Sequence, residues 1–124
     1  MLNKLRNEIH SNAVSKGFYE KETEFGTKLM LIVSELGEAL EAHRMNERVK
    51  KEHLQDATDH YVKSSDHFKL YYKRIIKGSV EEELADVLIR LLDLCGYEKI
   101  DIQKHVELKM LYNSMRPYKH GKEY

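Results

Sequence analysis

The chain has 124 residues and a mass of 14.7 kDa, which fits one domain around a single core. Lys plus Arg and Asp plus Glu are balanced at 21 each, which excludes the overall basic charge of a protein that binds duplex nucleic acid. One proline, six glycines, no tryptophan and many Leu, Glu and Lys residues favour an all-α fold over a sheet.

The sequence also bears on where the protein works. No apolar run approaches the roughly 20 residues of a membrane span, and the N-terminal residues lack the apolar core of a signal peptide. Cys95 is the only cysteine, and its apolar neighbours predict a buried thiol that suits a reducing compartment. We therefore expect a cytoplasmic protein without a membrane partner.

Apolar residues at helical spacing predict a first helix from Leu2 to about Lys16, ended by Gly17. A second helix is predicted from about Thr27 to Arg44. Its apolar residues recur at spacings of four, three and four, which is typical of the seam of a helical bundle: Leu29, Val33, Leu36 and Leu40.

The segment from about 45 to 78 has weaker periodicity. It is predicted to form one long helix or two shorter ones, ending near Gly78. Asp56 and Asp59 in this segment are read as part of a solvated face, because their neighbours are mostly polar.

Two helices are predicted after this segment. Ser79 and Glu82 fit a capping box at the start of the first, and Gly96 is a plausible stop. Its apolar residues repeat the spacing of four, three and four: Leu84, Leu88, Leu91 and Cys95. Asp101 can cap a last helix that runs to roughly Met115, and residues 117–124 are predicted to form a flexible tail. The predicted architecture is four core helices plus an inserted helical segment.

Two acidic pairs lie inside these apolar helices. Glu35 and Glu38 form one pair and Glu83 and Asp86 the other, each with the i,i+3 spacing that puts both carboxylates on one helix face. Carboxylates that face one another inside a bundle repel unless a cation joins them, and oxygen ligands point to Mg²⁺, or Mn²⁺. Ordinary surface charges are the alternative. A di-iron site is excluded because no Glu is followed three residues later by His.

Four stretches together resemble the MazG-like all-α nucleoside triphosphate pyrophosphohydrolases. Glu35-Leu-Gly-Glu38 and Glu83-Leu-Ala-Asp86 resemble the Glu-x-x-Glu and Glu-x-x-Asp signature of that family. Lys16-Gly-Phe-Tyr19 is similar to its Gly-Phe-Trp segment, and 109–116 is similar to the Lys-x-x-x-Asn-x-x-Arg ending, especially of dCTP pyrophosphatases. The chain departs from the family in the length between the acidic pairs and in Tyr19, which stands where many relatives have Trp.

The resemblance implies a MazG-like four-helix bundle and hydrolysis of a nucleoside triphosphate between the α- and β-phosphates, releasing pyrophosphate. The implied metal ligands are Glu35, Glu38, Glu83 and Asp86, with Glu38 as the base that takes the proton of water. The implied substrate contacts are Lys109, Asn113, Arg116, His10 and Tyr19, and a packing role is the alternative for His10 and Tyr19. Arg90 is one turn beyond Asp86 and so can reach a phosphate, and a salt bridge with Asp86 or Asp93 is its alternative. The resemblance also implies a homodimer or homotetramer.

Two other functions stay open at this point. One is a related phosphoribosyl-ATP pyrophosphohydrolase, whose phosphate-binding sequence should differ from the 109–116 ending. The other is a non-catalytic helical interaction protein, in which the aromatic residues of the inserted segment would form a partner surface: Phe68, Tyr71 and Tyr72.

Overall fold

A computed structural model describes all residues, 1–124, and confirms the all-α prediction: six α-helices and no strand. They are α1 (Leu2–Ser15), α2 (Phe25–Arg44), α3 (Lys51–Lys63), α4 (Ser65–Tyr71), α5 (Val80–Tyr97) and α6 (Ile102–Ser114). A π-helical turn, Tyr72–Ile76, continues α4, and a 3-10 turn, Tyr118–Gly121, follows α6. None of these helices combines the length and the apolarity that crossing a bilayer requires.

The chain forms two compact units, one of residues 1–22 with 92–124 and one of residues 23–91, and α5 runs through both. The buried apolar residues of the first unit are Leu92, Leu94 and Cys95. Those of the second are Ala39, Ala42, Ala57, Ile76 and Val80. Cys95 is thus a buried free thiol as predicted, whereas the assignment of residues 1–124 to a single domain stays a prediction.

The capping residues explain where α5 and α6 begin. The Ser79 hydroxyl accepts a hydrogen bond from the backbone N–H of Glu82 at 3.2 Å, as a capping box requires. The Glu82 carboxylate, however, accepts from the N–H of Gly78 at 2.9 Å, one residue earlier than that motif predicts. Asp101 caps α6 as predicted, because its carboxylate accepts from the N–H of Lys104 at 3.1 Å.

The prediction that Gly96 ends α5 is wrong. The helix continues to Tyr97, and the left-handed residue that closes it is Lys99, with φ of 57°. The N–H of Ile100 then bonds the carbonyl of Cys95, which is the closing bond of a Schellman motif. Gly96 serves packing instead, because a Cβ at this position would lie 2.6 Å from the Cβ of His10 on α1.

The segment between α2 and α5 contains α3, α4 and the π-helical turn, so the prediction of two shorter helices is the correct one of the two. Its ends are tied together. The N–H of Val80 donates to the carbonyl of Glu47 at 2.9 Å. The Glu81 carboxylate accepts from Nε of Arg48 at 2.8 Å and from the N–H of Val49 at 3.0 Å. These bonds join the end of α2 to the start of α5.

Apart from Cys95, the residues of the two predicted seams are not buried within the chain. On α2 the four seam residues are 41 to 51% exposed, and Glu35, Ala39 and Ala42 are the buried residues of that helix. At about 100° per residue, the buried face lies roughly 130° round the helix from the seam. The α5 residues Leu84, Leu88 and Leu91 are also exposed. The buried apolar residues of α2 are thus small alanines, and its large apolar side chains remain uncovered.

Candidate metal centre

Two helices bring three carboxylates together. Glu35 and Glu38 are one turn apart on α2, and Glu83 lies in the first turn of α5. One oxygen from each lies within 4.8 Å of the others. We call these three residues the acidic cluster. Asp86, the fourth predicted ligand, is one turn after Glu83 and is not part of this close group.

Arg90 is bound to the acidic cluster. Its Nε donates to Oε1 of Glu35 at 2.7 Å, and Glu35 is buried while Glu38 is exposed. The salt-bridge alternative for Arg90 therefore holds with Glu35 as its partner, rather than Asp86 or Asp93. The terminal nitrogens of Arg90 make no further bond, so a phosphate contact by those nitrogens stays a prediction.

Burial, hydrogen bonding and the neighbouring charges shift the pKa values of the acidic cluster. Burial, then the charge of Glu38, raises the pKa of Glu83 to about 7. The hydrogen bond with Glu35 and the charge of Glu35 raise the pKa of Glu38, whereas the same bond, aided by Arg90, lowers the pKa of Glu35. Burial and the charge of Glu35 raise the pKa of Asp86. At neutral pH, the carboxyl groups of this site are therefore less fully ionised than isolated carboxyl groups would be.

The arrangement suits a small divalent cation. Oxygen ligands of an octahedral Mg²⁺ lie about 3 to 4.2 Å from one another, since each is about 2.1 Å from the ion. The oxygens of the acidic cluster, within 4.8 Å, need only small side-chain movements to reach that spacing. With all groups ionised, three carboxylates and one guanidinium leave two negative charges, which one divalent ion neutralises.

A cavity of about 290 Å³ opens beside the acidic cluster. It is lined by the carboxylates of Glu38, Glu41, Glu47 and Glu83 and by Ala42, Met45 and Gly78. No cationic side chain lines it. A phosphate group could enter this cavity only together with a cation, because like charges at contact distance repel strongly in a partly buried site.

His10 and Tyr19, predicted substrate contacts, belong to the unit of residues 1–22 and 92–124. Both bind Asp93: Nδ1 of His10 lies 2.8 Å from Oδ1, and the hydroxyl of Tyr19 donates to Oδ2 at 2.7 Å. The Tyr19 ring stacks on Tyr97 with centroids 5.0 Å apart. Asp93 is absent from the predicted site residues, although a carboxylate inside an apolar helical run is the signal that marks Glu35.

Lys109, Asn113 and Arg116 belong to the same unit, near the end of α6. Nζ of Lys109 lies 5.1 Å from the ring centroid of Tyr112, and Cζ of Arg116 lies 5.5 Å from it. Oδ1 of Asn113 is buried without a hydrogen-bond partner. Tyr112, three residues after Lys109 and four before Arg116, is the shared contact that the motif does not predict. That these residues and the acidic cluster serve one substrate stays a prediction.

Comparison of this chain with models of protein families, with curated proteins and with solved structures finds no match in any of the three. The resemblance to MazG-like enzymes therefore depends on the motif residues alone.

Proposed function

We propose that the protein is a MazG-like, Mg²⁺-dependent nucleoside triphosphate pyrophosphohydrolase that cleaves between the α- and β-phosphates. The observation that carries this proposal is the convergence of Glu35, Glu38 and Glu83 from two helices beside a cavity that no cationic side chain lines. A metal-bound triphosphate is the ligand class that such a cavity suits, because the ion compensates the charge of both protein and phosphates.

The three carboxylates have different surroundings and therefore different roles. Glu35 is buried and fixed by Arg90, so it is a rigid metal ligand. Glu83 is half-buried and lines the cavity together with Glu38. Glu38 is exposed and has no cationic partner, so it is the group that can accept the proton of an attacking water. The bound ion would neutralise phosphate charge and activate that water.

In the proposed reaction, water attacks phosphorus, the bridging P–O bond breaks, and pyrophosphate and a nucleoside monophosphate leave. Lys109 and Arg116 are assigned to phosphate contacts, and Asn113 to the base or ribose. Neither Lys109 nor Arg116 is paired with a carboxylate. One terminal nitrogen of Arg116 donates to the carbonyl of His120 at 3.0 Å, which leaves its other donors for a ligand. The buried Oδ1 of Asn113 lacks a hydrogen-bond donor.

The decisive experiment incubates the protein with a panel of deoxynucleoside and ribonucleoside triphosphates in Mg²⁺ and identifies the products. Pyrophosphate and monophosphate are expected from at least one nucleotide. Glu38→Gln should lower kcat by at least about 100-fold, the scale of general-base catalysis. The control is Glu41→Gln, because Glu41 lines the same cavity outside the acidic cluster.

Release of phosphate instead of pyrophosphate would contradict the proposed bond cleavage. Equal losses in the Glu38 and Glu41 variants would contradict the role of the acidic cluster. Turnover of phosphoribosyl-ATP in preference to every triphosphate would establish the related activity instead.

The exposed leucine seam supports the proposed homo-oligomer, a dimer or tetramer. The seam residues of α2 carry large apolar surface, and the α5 residues Leu84, Leu88 and Leu91 extend the same pattern. Large exposed apolar side chains repeated along a helix face mark an interaction site, and a second copy of the chain offers a matching surface by symmetry.

Light scattering after size-exclusion chromatography tests this assembly. The protein is expected to elute as a dimer or tetramer, and Leu36→Asp on the seam should shift it to the monomer mass. Leu54→Asp changes an equally exposed leucine on α3 and should leave the mass unchanged. A monomeric unmodified chain at micromolar concentration would contradict the assembly.

A further inference from the structure

The inserted segment contains a second cavity of about 290 Å³. It is bounded by α3, α4 and the π-helical turn and shares no lining residue with the cavity beside the acidic cluster. Its lining is imidazole, phenol, guanidinium and aliphatic carbon: His60, His67, Leu70, Tyr71, Arg74 and Ile75. No carboxylate lines it, so the electrostatic character of this cavity is opposite to that of the first.

One wall holds a buried polar atom without a partner. Nδ1 of His60 is inaccessible to solvent and makes no hydrogen bond. Such atoms are rare in folded proteins, because burial removes the bond to water without a replacement. Nδ1 of His67, by contrast, is already bonded to the Ser64 hydroxyl at 2.5 Å. His60 therefore carries an unsatisfied polar atom in a residue that lines the cavity.

The one cationic side chain of this cavity, Arg74, also lacks a partner in the protein. The side chain of Arg74 lines the cavity, is exposed to solvent, and makes no hydrogen bond or ion pair with the protein. The carboxylate of Asp56 on α3 accepts a hydrogen bond from the Tyr71 hydroxyl at 3.4 Å but does not line the cavity. A guanidinium presents a planar set of donors that matches a carboxylate or a phosphate, so an anionic group is its natural ligand.

The remaining walls suit a flat apolar body. The rings of His60 and Tyr71 have centroids 4.7 Å apart, and His60 and His67 are nearly parallel, with 9° between their planes. Leu70 and Ile75 add aliphatic surface. Aromatic faces and aliphatic side chains together favour a planar ring over a hydrated inorganic ion.

We propose that this cavity binds a small planar organic anion, an aromatic ring that carries one carboxylate or phosphate group. Arg74 binds the acid group, and the ring lies against Tyr71 and His60. The volume is at the lower end of ligand pockets, so the ligand has one ring system. The π-helical turn that positions Arg74 is a rare element often found at functional sites.

Titration with benzoate and with phenyl phosphate tests the proposal, followed by NMR of the histidine ring resonances. Saturable shifts of the His60 resonances are expected with at least one probe, and the better probe identifies the acid group. Benzamide, the neutral analogue of benzoate, and inorganic phosphate, which lacks the ring, should each bind at least 10-fold more weakly.

Arg74→Gln should weaken binding of the better probe by at least 10-fold. Lys73→Gln is the matched control, because it removes a neighbouring positive charge that does not line the cavity. Circular dichroism confirms that each variant is folded. The proposal is overturned if neither probe shifts the His60 resonances, or if the Arg74 and Lys73 variants bind equally well.

This site is independent of the proposed hydrolysis. Glu38→Gln should leave the affinity for benzoate or phenyl phosphate unchanged, with or without Mg²⁺. A loss of binding in that variant would place the probe at the acidic cluster and overturn the assignment to the inserted segment.

Discussion

Nε of Arg90 lies 2.7 Å from Oε1 of Glu35, so the most buried carboxylate of the acidic cluster has a cationic partner before any metal binds. This ion pair determines which of the three carboxylates is fixed and which remain free to reorganise. It also means that the buried charge of Glu35 depends on the side chain of Arg90 for compensation.

Arg90→Gln should lower the free energy of unfolding by about 1 to 3 kcal/mol in the presence of a chelator, because it leaves a buried carboxylate with one donor fewer. Urea unfolding measures this change. Arg44→Gln is the control, since Arg44 forms an exposed pair with Glu41 at 3.6 Å and should cost less than about 1 kcal/mol. Mg²⁺ should restore part of the loss in the Arg90 variant only.

Mg²⁺ binding should depend on the acidic cluster. Calorimetric titration should show at least a 10-fold weaker affinity for Glu38→Gln and Glu83→Gln, because each variant removes a charged ligand. Glu41→Gln should bind as tightly as the unmodified protein. Saturation at about 100 times Kd should stabilise the fold by about 2.7 kcal/mol, and a metal-independent unfolding curve would contradict the site.

The stability of the metal-free protein should fall as the pH rises. In the folded chain Glu83 has a pKa of about 7, above its ordinary value of 4.5, so the folded state keeps a proton that the unfolded state loses between these values. The contribution of protonated Glu83 to the free energy of unfolding is full below about pH 4.5 and disappears as the pH passes 7. The raised pKa values of Glu38 and Asp86 act in the same direction, and the lowered pKa of Glu35 acts against them.

Urea midpoints between pH 5 and pH 8, with chelator, measure this dependence. Glu83→Gln should flatten the dependence of the urea midpoint on pH, because glutamine has no proton to lose in this range. Saturating Mg²⁺ should flatten it too, since the ion favours the ionised carboxylates. A rise in stability over the same range would contradict the assigned pKa of Glu83.

Gly96→Ala should destabilise the protein by about 1 to 3 kcal/mol, because the new methyl group would overlap the Cβ of His10 at 2.6 Å. Gly37→Ala on α2 is the matched control. Nothing lies within 4 Å of a Cβ at that position, so alanine should stabilise the helix by up to about 1 kcal/mol. Equal effects of the two substitutions on thermal unfolding would contradict the close approach of α1 and α5.

Local signals in the sequence predict much of this structure. Side-chain caps at Ser79 and Asp101 mark the starts of α5 and α6, because their bonds involve residues only three positions away. The acidic pairs predict the cluster for a similar reason, since helical spacing fixes which carboxylates share a face. Three of the four predicted ligands converge, and Asp86 lies outside that close group.

Long-range packing escapes the same signals. The leucine seam of α2 predicts burial, yet the chain buries Ala39 and Ala42 instead. Apolar spacing shows that a face is hydrophobic but not which chain covers it. Gly96 is a comparable case: a glycine near a helix end suggests a stop, and only the position of His10 reveals its packing role.

The bond between the N–H of Val80 and the carbonyl of Glu47 places the two ends of the inserted segment next to each other. A segment whose ends meet can change in length without altering the separation of the helices that carry it. We therefore expect the distance between Glu38 and Glu83 to depend little on the contents of α3 and α4. Related chains could exchange this segment for a short turn, or for another small module, and keep the same carboxylate geometry.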